Sequence, residues 1–144
     1  MSATPMMSMA AAEAALNAIT ALLNNGFINI YTGSIPATAE TSASGTALST
    51  ALAFSSTAFG GATDGGSGLA TASANSIASD TSAANSGTAG YFRALASNHT
   101  TVVLQGTCGT SSADMILSST SITAGQTIAI TSYIVNLPDG SGAD

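Results

Sequence analysis

Positive charge is almost missing from this sequence. Of its 144 residues only Arg93 is cationic, against seven carboxylates and a formal net charge of -6, and charged residues make up 6% of the chain, where ordinary globular domains carry about a quarter. With one cation no basic patch can neutralise a phosphate backbone, which excludes nucleic-acid binding. An anionic membrane surface would repel the chain for the same reason. Cysteine is nearly missing too: Cys108 stands alone, so no intrachain disulfide can form. Placed in a Gly106–Thr110 turn, it reads as a small packing residue rather than a nucleophile. His99 is the single histidine, which excludes a metal site built on paired histidines. No apolar run reaches bilayer length. Residues 1–25 hold no Lys or Arg, as the n-region of a signal peptide would require, so synthesis and folding in the cytoplasm are expected.

What fills the chain instead is Ala, Ser, Thr and Gly. Hydrophobic residues reach 45%, enough to build a core and too many for a disordered chain, and the length fits one domain. A surface of small uncharged side chains has little protection against sticky association. It also costs little side-chain entropy to cover. This suits a protein covered by neighbouring copies or partners; a merely soluble Ser/Thr-rich domain is the plainer alternative.

One helix is predicted, over residues 9–25, after an N-terminal arm at 1–8. Ala12, Ala15, Leu16, Ile19, Leu22 and Leu23 recur at helical spacing. Thr4-Pro5 offers a start and Asn24-Asn25-Gly26 a stop. From Gly26 the period becomes strand-like. Phe27–Tyr31, a region through Leu48, Leu52 and Phe54, a weak segment at 69–78, Gly90–Leu95, Thr100–Leu104, Ala113–Leu117 and Thr127–Val135 read as strands between Gly, Ser and Asn turns. Residues 26–137 are therefore expected to form a β domain, an antiparallel sandwich or jelly-roll-like barrel with the helix at its N-terminus. The tail at 138–144 is expected to fray.

No catalytic set emerges. No nucleophile elbow, Walker loop, dinucleotide fingerprint or EF-hand loop is present. A Ser-His-Asp set drawing on His99 and Asp80 or Asp114 is compositionally open, but Asn98-His99-Thr100 reads as a loop. The expectation is a non-enzyme without cofactor or metal. Arg93 reads either as a bidentate anchor for a carboxylate or as a solvated strand residue. Leu16, Ile19 and Leu23 on the helix, Phe27 and Tyr31 on the first strand, and Arg93 are the candidate protein-contact residues, with core packing the competing reading for the apolar ones.

Three blocks carry a resemblance. Gly26–Glu40, with its Ile30-Tyr31-Thr32-Gly33-Ser34-Ile35-Pro36-Ala37 stretch, resembles a block that follows an N-terminal helix in small virion-associated proteins of tailed bacteriophages. Gly87–Arg93 resembles their aromatic strand. Gly109–Met115 resembles their Gly-Thr-Ser-Gly-Ala-Asp turn, with Ser112 where the family tends to have Gly. The resemblance implies a structural protein of a phage particle, most nearly a capsid decoration or cement protein on the virion surface. Its implied partners are the major capsid protein and itself, as a dimer or trimer. A receptor- or glycan-binding module of the tail or surface is the alternative.

Overall fold

The computed structural model describes residues 5–141. Helix α1 spans Met9–Ala21 and starts one residue after Ser8, whose hydroxyl accepts from the Ala11 N–H at 3.1 Å. That hydroxyl satisfies one of the first-turn donors that have no partner inside the helix. The helix thus begins at Met9, the first residue of the predicted 9–25 span, with Ser8 rather than Thr4-Pro5 as its start signal; Thr4 is outside the described residues. The helix also stops earlier than residue 25, with Leu22 as its C-cap. Ala12, Leu16 and Thr20 form its buried stripe. Leu22 is 60% exposed, so the predicted stripe is one residue too wide.

The strands are β1 (Phe27–Thr32), β2 (Ala47–Phe54), β3 (Thr63–Asp64), β4 (Leu69–Ser73), β5 (Ile77–Ala78), β6 (Gly87–Leu95), β7 (Val102–Gly109), β8 (Met115–Leu117), β9 (Ser121–Ile122) and β10 (Ile130–Pro138). Among the described residues the chain is mainly β with one helix. Its strands run in the order β3-β4-β10-β8-β7-β6-β1-β2-β5, with β9 pairing β6 off this path. Among the described residues every strand pair is antiparallel except β7 with β8, which is parallel. The sheet is therefore mixed, which corrects the wholly antiparallel expectation. Parallel neighbours usually need a crossover of about a dozen residues, yet residues 110–114 make this one. Cys108, expected in a turn, lies within β7 opposite Met115.

The sheet curls around its own core. In a flat sheet β6 and β10, three positions apart, would be separated by roughly 14 Å. Instead the Phe92 and Tyr133 rings meet edge-on at 5.0 Å, and Phe59 reaches Tyr133 at 5.4 Å. Helix α1 packs on β4 and β10 and closes one side of this half-barrel. A register shift between Ile130 and Ser132 lets Ile130 pack on the core while Tyr133, an odd number of residues later, is also buried. Strict alternation from Ile128 would have put Tyr133 on the opposite face; the bulge is what reverses it. Beyond β10, Asp139 is buried, donates its N–H to Gly68 and accepts from the Met7 N–H at 2.7 Å. The tail is thus tied down at Asp139, against the expectation that it frays from 138; residues 142–144 are outside the described residues.

Candidate interaction surface

Strand β1 alternates cleanly. Ile28 and Ile30 are fully buried, which leaves Phe27, Asn29 and Tyr31 on the outer face of the sheet. There they lie opposite Leu95, Arg93 and Tyr91 of β6, and Arg93 in turn lies opposite Gln105 of β7. Tyr31 stacks on Tyr91 at 5.1 Å, and Phe27 stacks on His99 at 4.1 Å. His99 shares a hydrogen bond with Asn29 at 3.1 Å, and Asn29 donates to the Tyr31 hydroxyl.

Residues 33–46, which join β1 to β2, lie back across this outer face as a strap. The chain can approach so closely because Gly90 has no side chain: a Cβ there would fall 2.0 Å from the Gly33 carbonyl oxygen. Three ties hold the strap. Gln105 Nε2 donates to the Pro36 carbonyl at 2.9 Å, and Arg93 Nη2 donates to the Thr41 carbonyl. The Tyr91 hydroxyl donates to the Ser44 carbonyl at 2.7 Å and accepts from the Ser44 N–H at 2.9 Å.

Arg93 thus matches neither reading made from sequence. It is buried, so it is no solvated strand residue, and it donates to a backbone carbonyl rather than to a carboxylate. Its Nε and the neighbouring Gln105 Oε1 are buried without a hydrogen-bond partner. Leu16 and Leu23 are fully buried and belong to the core, which corrects their place among the contact candidates. Ile19 is half-buried on the helix. Phe27 and Tyr31 are half-buried on the outer face, side by side with Arg93 but engaged with His99 and Tyr91.

The polar side chains considered for catalysis are committed to separate structural roles. Asp80 accepts from the buried Ser49 hydroxyl at 2.6 Å and from the Ser82 N–H, while its backbone bridges to Ile128. Asp114 bonds Thr107. His99 bonds Asn29, so a Ser-His-Asp relay is not assembled from these groups. Burial, and after it the Asp114 carboxylate, pushes the Cys108 thiol from 9.0 up to about 12, and the same two causes raise Tyr133. A thiol held protonated at neutral pH is a poor nucleophile.

A feature absent from the sequence reading lies between β7 and β10. A cleft of about 260 Å³ opens there, floored by Phe92 and Tyr133 and flanked by Leu104, Gln105, Ile134 and Asn136, with Asp114 among its lining residues. No pattern within one segment signals it, because it exists where two strands fail to pair.

The fold and surface define a small, mainly β protein whose curled mixed sheet is plugged by one helix and strapped on its outer face. Among the described residues no helix is long and apolar enough to cross a membrane, and no group of three or more metal-ligating side chains occurs. The chain matches no protein-family model, no curated protein and no solved structure.

Proposed function

We propose that this protein is a structural component of a bacteriophage particle, a capsid decoration or cement protein that stabilises the shell by packing against the major capsid protein and further copies of itself. The observation that carries the reading is the character of the surface. Arg93 is buried, so formal charge outside the core is acidic, and that surface exposes Leu22, Ile35 and Ile134 among small uncharged residues. Exposed aliphatic side chains on a weakly charged background favour coverage by protein. The resemblance of the Gly26–Glu40, Gly87–Arg93 and Gly109–Met115 blocks to phage virion proteins supports the same assignment.

The fold reading that accompanies it is a sandwich-like or jelly-roll-like closure, supported by Phe92 meeting Tyr133 across the interior. A glycan-binding module would present free aromatic faces; Phe27 and Tyr31 instead stack within the chain. Quantitative mass spectrometry of purified particles, counting this chain against the major shell protein, tests the proposal. A ratio near one, or a simple fraction set by shell symmetry, is the expected result. A handful of copies would place the chain at the neck or tail, and complete absence would overturn the virion reading.

A further inference from the structure

We infer that the cleft between β7 and β10 is a strand-shaped docking slot that takes an extended, alternately apolar segment of a partner protein carrying a basic residue. This deepens the proposed packing role and rests on it for the partner's identity as a shell component. The backbone makes the case first. Among the described residues, Val102–Gln105 has no strand partner on the side away from β6, and Val135–Pro138 has none on the side away from β4.

The direction of the free groups follows from the ladder. Thr107 turns its N–H away from β6 to Asp114, so alternation turns the Gln105 N–H and carbonyl the same way. Tyr133 gives its carbonyl to the Ala74 N–H, so alternation turns the backbone groups of Asn136 into the slot, while Ile134, at the slot's end, turns its N–H to the β8 ladder that pairs Met115 with Tyr133. Strand β8 occupies the same line farther along, where Met115 pairs both Cys108 and Tyr133, and stops where the slot begins. An extended segment continuing that line would hydrogen-bond on both sides at once, which a helix or a small molecule cannot do.

Side chains narrow the occupant. Phe92 and Tyr133 form an apolar floor for alternate residues, and Ile134, 46% exposed, forms a lip. Asp114 supplies a carboxylate at the cleft. A second copy has no exposed Lys or Arg side chain to offer it, because Arg93 is buried, and two chains of net charge -6 repel. A partner segment with Lys or Arg meets both conditions. By contrast, the outer edges of the sheet end in the two-residue strands β3 and β5, too short to template much pairing.

The test titrates the 15N-labelled full-length protein with the peptide acetyl-Thr-Val-Lys-Val-Thr-Val-amide. The expected result is slowing of amide exchange at Gln105 and Asn136 by about tenfold or more, with weaker binding of the peptide carrying Glu in place of Lys. Asn136→Pro removes a donor aimed into the slot while sparing the β4 ladder, and Ile134→Asp polarises the lip. Each is expected to weaken binding about tenfold with the circular dichroism spectrum unchanged. Exchange unaffected by the peptide overturns the slot. Protection that grows with protein concentration alone assigns the slot to a second copy and overturns the partner. A peptide-filled slot in a chain missing from particles would sink the shell reading alone; a chain abundant on particles whose slot ignores the peptide would sink the slot alone.

Discussion

Asp114 and Thr107 bond each other reciprocally. Asp114 Oδ2 accepts from the Thr107 backbone N–H at 2.9 Å and from its hydroxyl at 3.1 Å, while the Thr107 hydroxyl oxygen accepts from the Asp114 N–H at 3.3 Å. This clamp lets residues 110–114 reverse the chain and start β8 parallel to β7. Gly106 makes room for it, since a Cβ there would come within 2.9 Å of both the Asp114 Cβ and its Oδ2. Thr107→Val keeps the shape and the backbone bond but removes the hydroxyl. It is expected to cost about 1 kcal/mol, and Asp114→Ala about 1–3 kcal/mol, since it deletes charge-assisted bonds. Urea unfolding of the two single variants and the double variant checks this: ΔΔG values that simply add would show that the clamp does not act as a unit.

Ser112, inside the same connection, sits at φ 51, in the left-handed region. That region costs an L-residue about 1–2 kcal/mol, and glycine escapes the cost while losing some of the gain through its looser unfolded chain. Ser112→Gly is therefore expected to stabilise the fold by about 0.5–1 kcal/mol, and Ser112→Ala to give no gain. Thermal unfolding of both variants distinguishes relief of backbone conformation from loss of the hydroxyl.

The difference between these residues and β1 explains how far the sequence could be read. Phe27–Tyr31 announces itself because alternation is local: Ile28 and Ile30 go inward whatever they pair with. The helix is legible for the same reason, although its end at Leu22 depends on capping geometry that the Asn24-Asn25-Gly26 signal places too late. The parallel β7–β8 pair rests on one Asp–Thr clamp and one left-handed serine, neither of which has a periodic signature. The role of Arg93 is not legible in sequence because its partner is the Thr41 carbonyl, and a backbone acceptor leaves no mark there. The β10 bulge was invisible for a related reason: a register shift reverses the faces without changing any residue type. The β7–β10 slot is a product of pairing that does not occur, so only the three-dimensional arrangement displays it.

Cys108 gives a pH-dependent prediction. In the unfolded chain its thiol titrates near 9.0, whereas burial and then Asp114 hold it up to about 12 in the folded protein. The unfolded state therefore sheds its proton first. The stabilising contribution is full below pH 9.0 and is lost as pH rises toward 12. Tyr133, raised by the same burial, acts in the same direction at higher pH. Denaturant midpoints measured from pH 7 upward are expected to decline above pH 9.0, with a shallower decline in Cys108→Ala. Iodoacetamide should label native Cys108 slowly at pH 8 and rapidly after unfolding; fast native labelling would contradict the protected thiol.

The strap over β1 and β6 offers the sharpest test of the outer face. Arg93, Tyr91 and Gln105 hold residues 33–46 through backbone carbonyls, and Gly90 supplies the clearance beneath Gly33. Gly90→Ala would place a methyl carbon 2.0 Å from the Gly33 oxygen, and backbone cannot yield as a flexible side-chain end can. The strap must lift, taking the Arg93–Thr41 and Tyr91–Ser44 bonds with it. A loss of about 2–4 kcal/mol is expected from the clash and the abandoned buried donors together. Arg93→Ala removes one tie without the clash and should cost less, but it should likewise open the segment around Ile35, which is already 37% exposed, to thermolysin. Leu22→Ala, on the exposed end of the helix, serves as the control that leaves the strap untouched. Cleavage within residues 33–46 that rises in Gly90→Ala and Arg93→Ala but not in Leu22→Ala would establish that these ties, rather than general stability, keep the strap on the sheet.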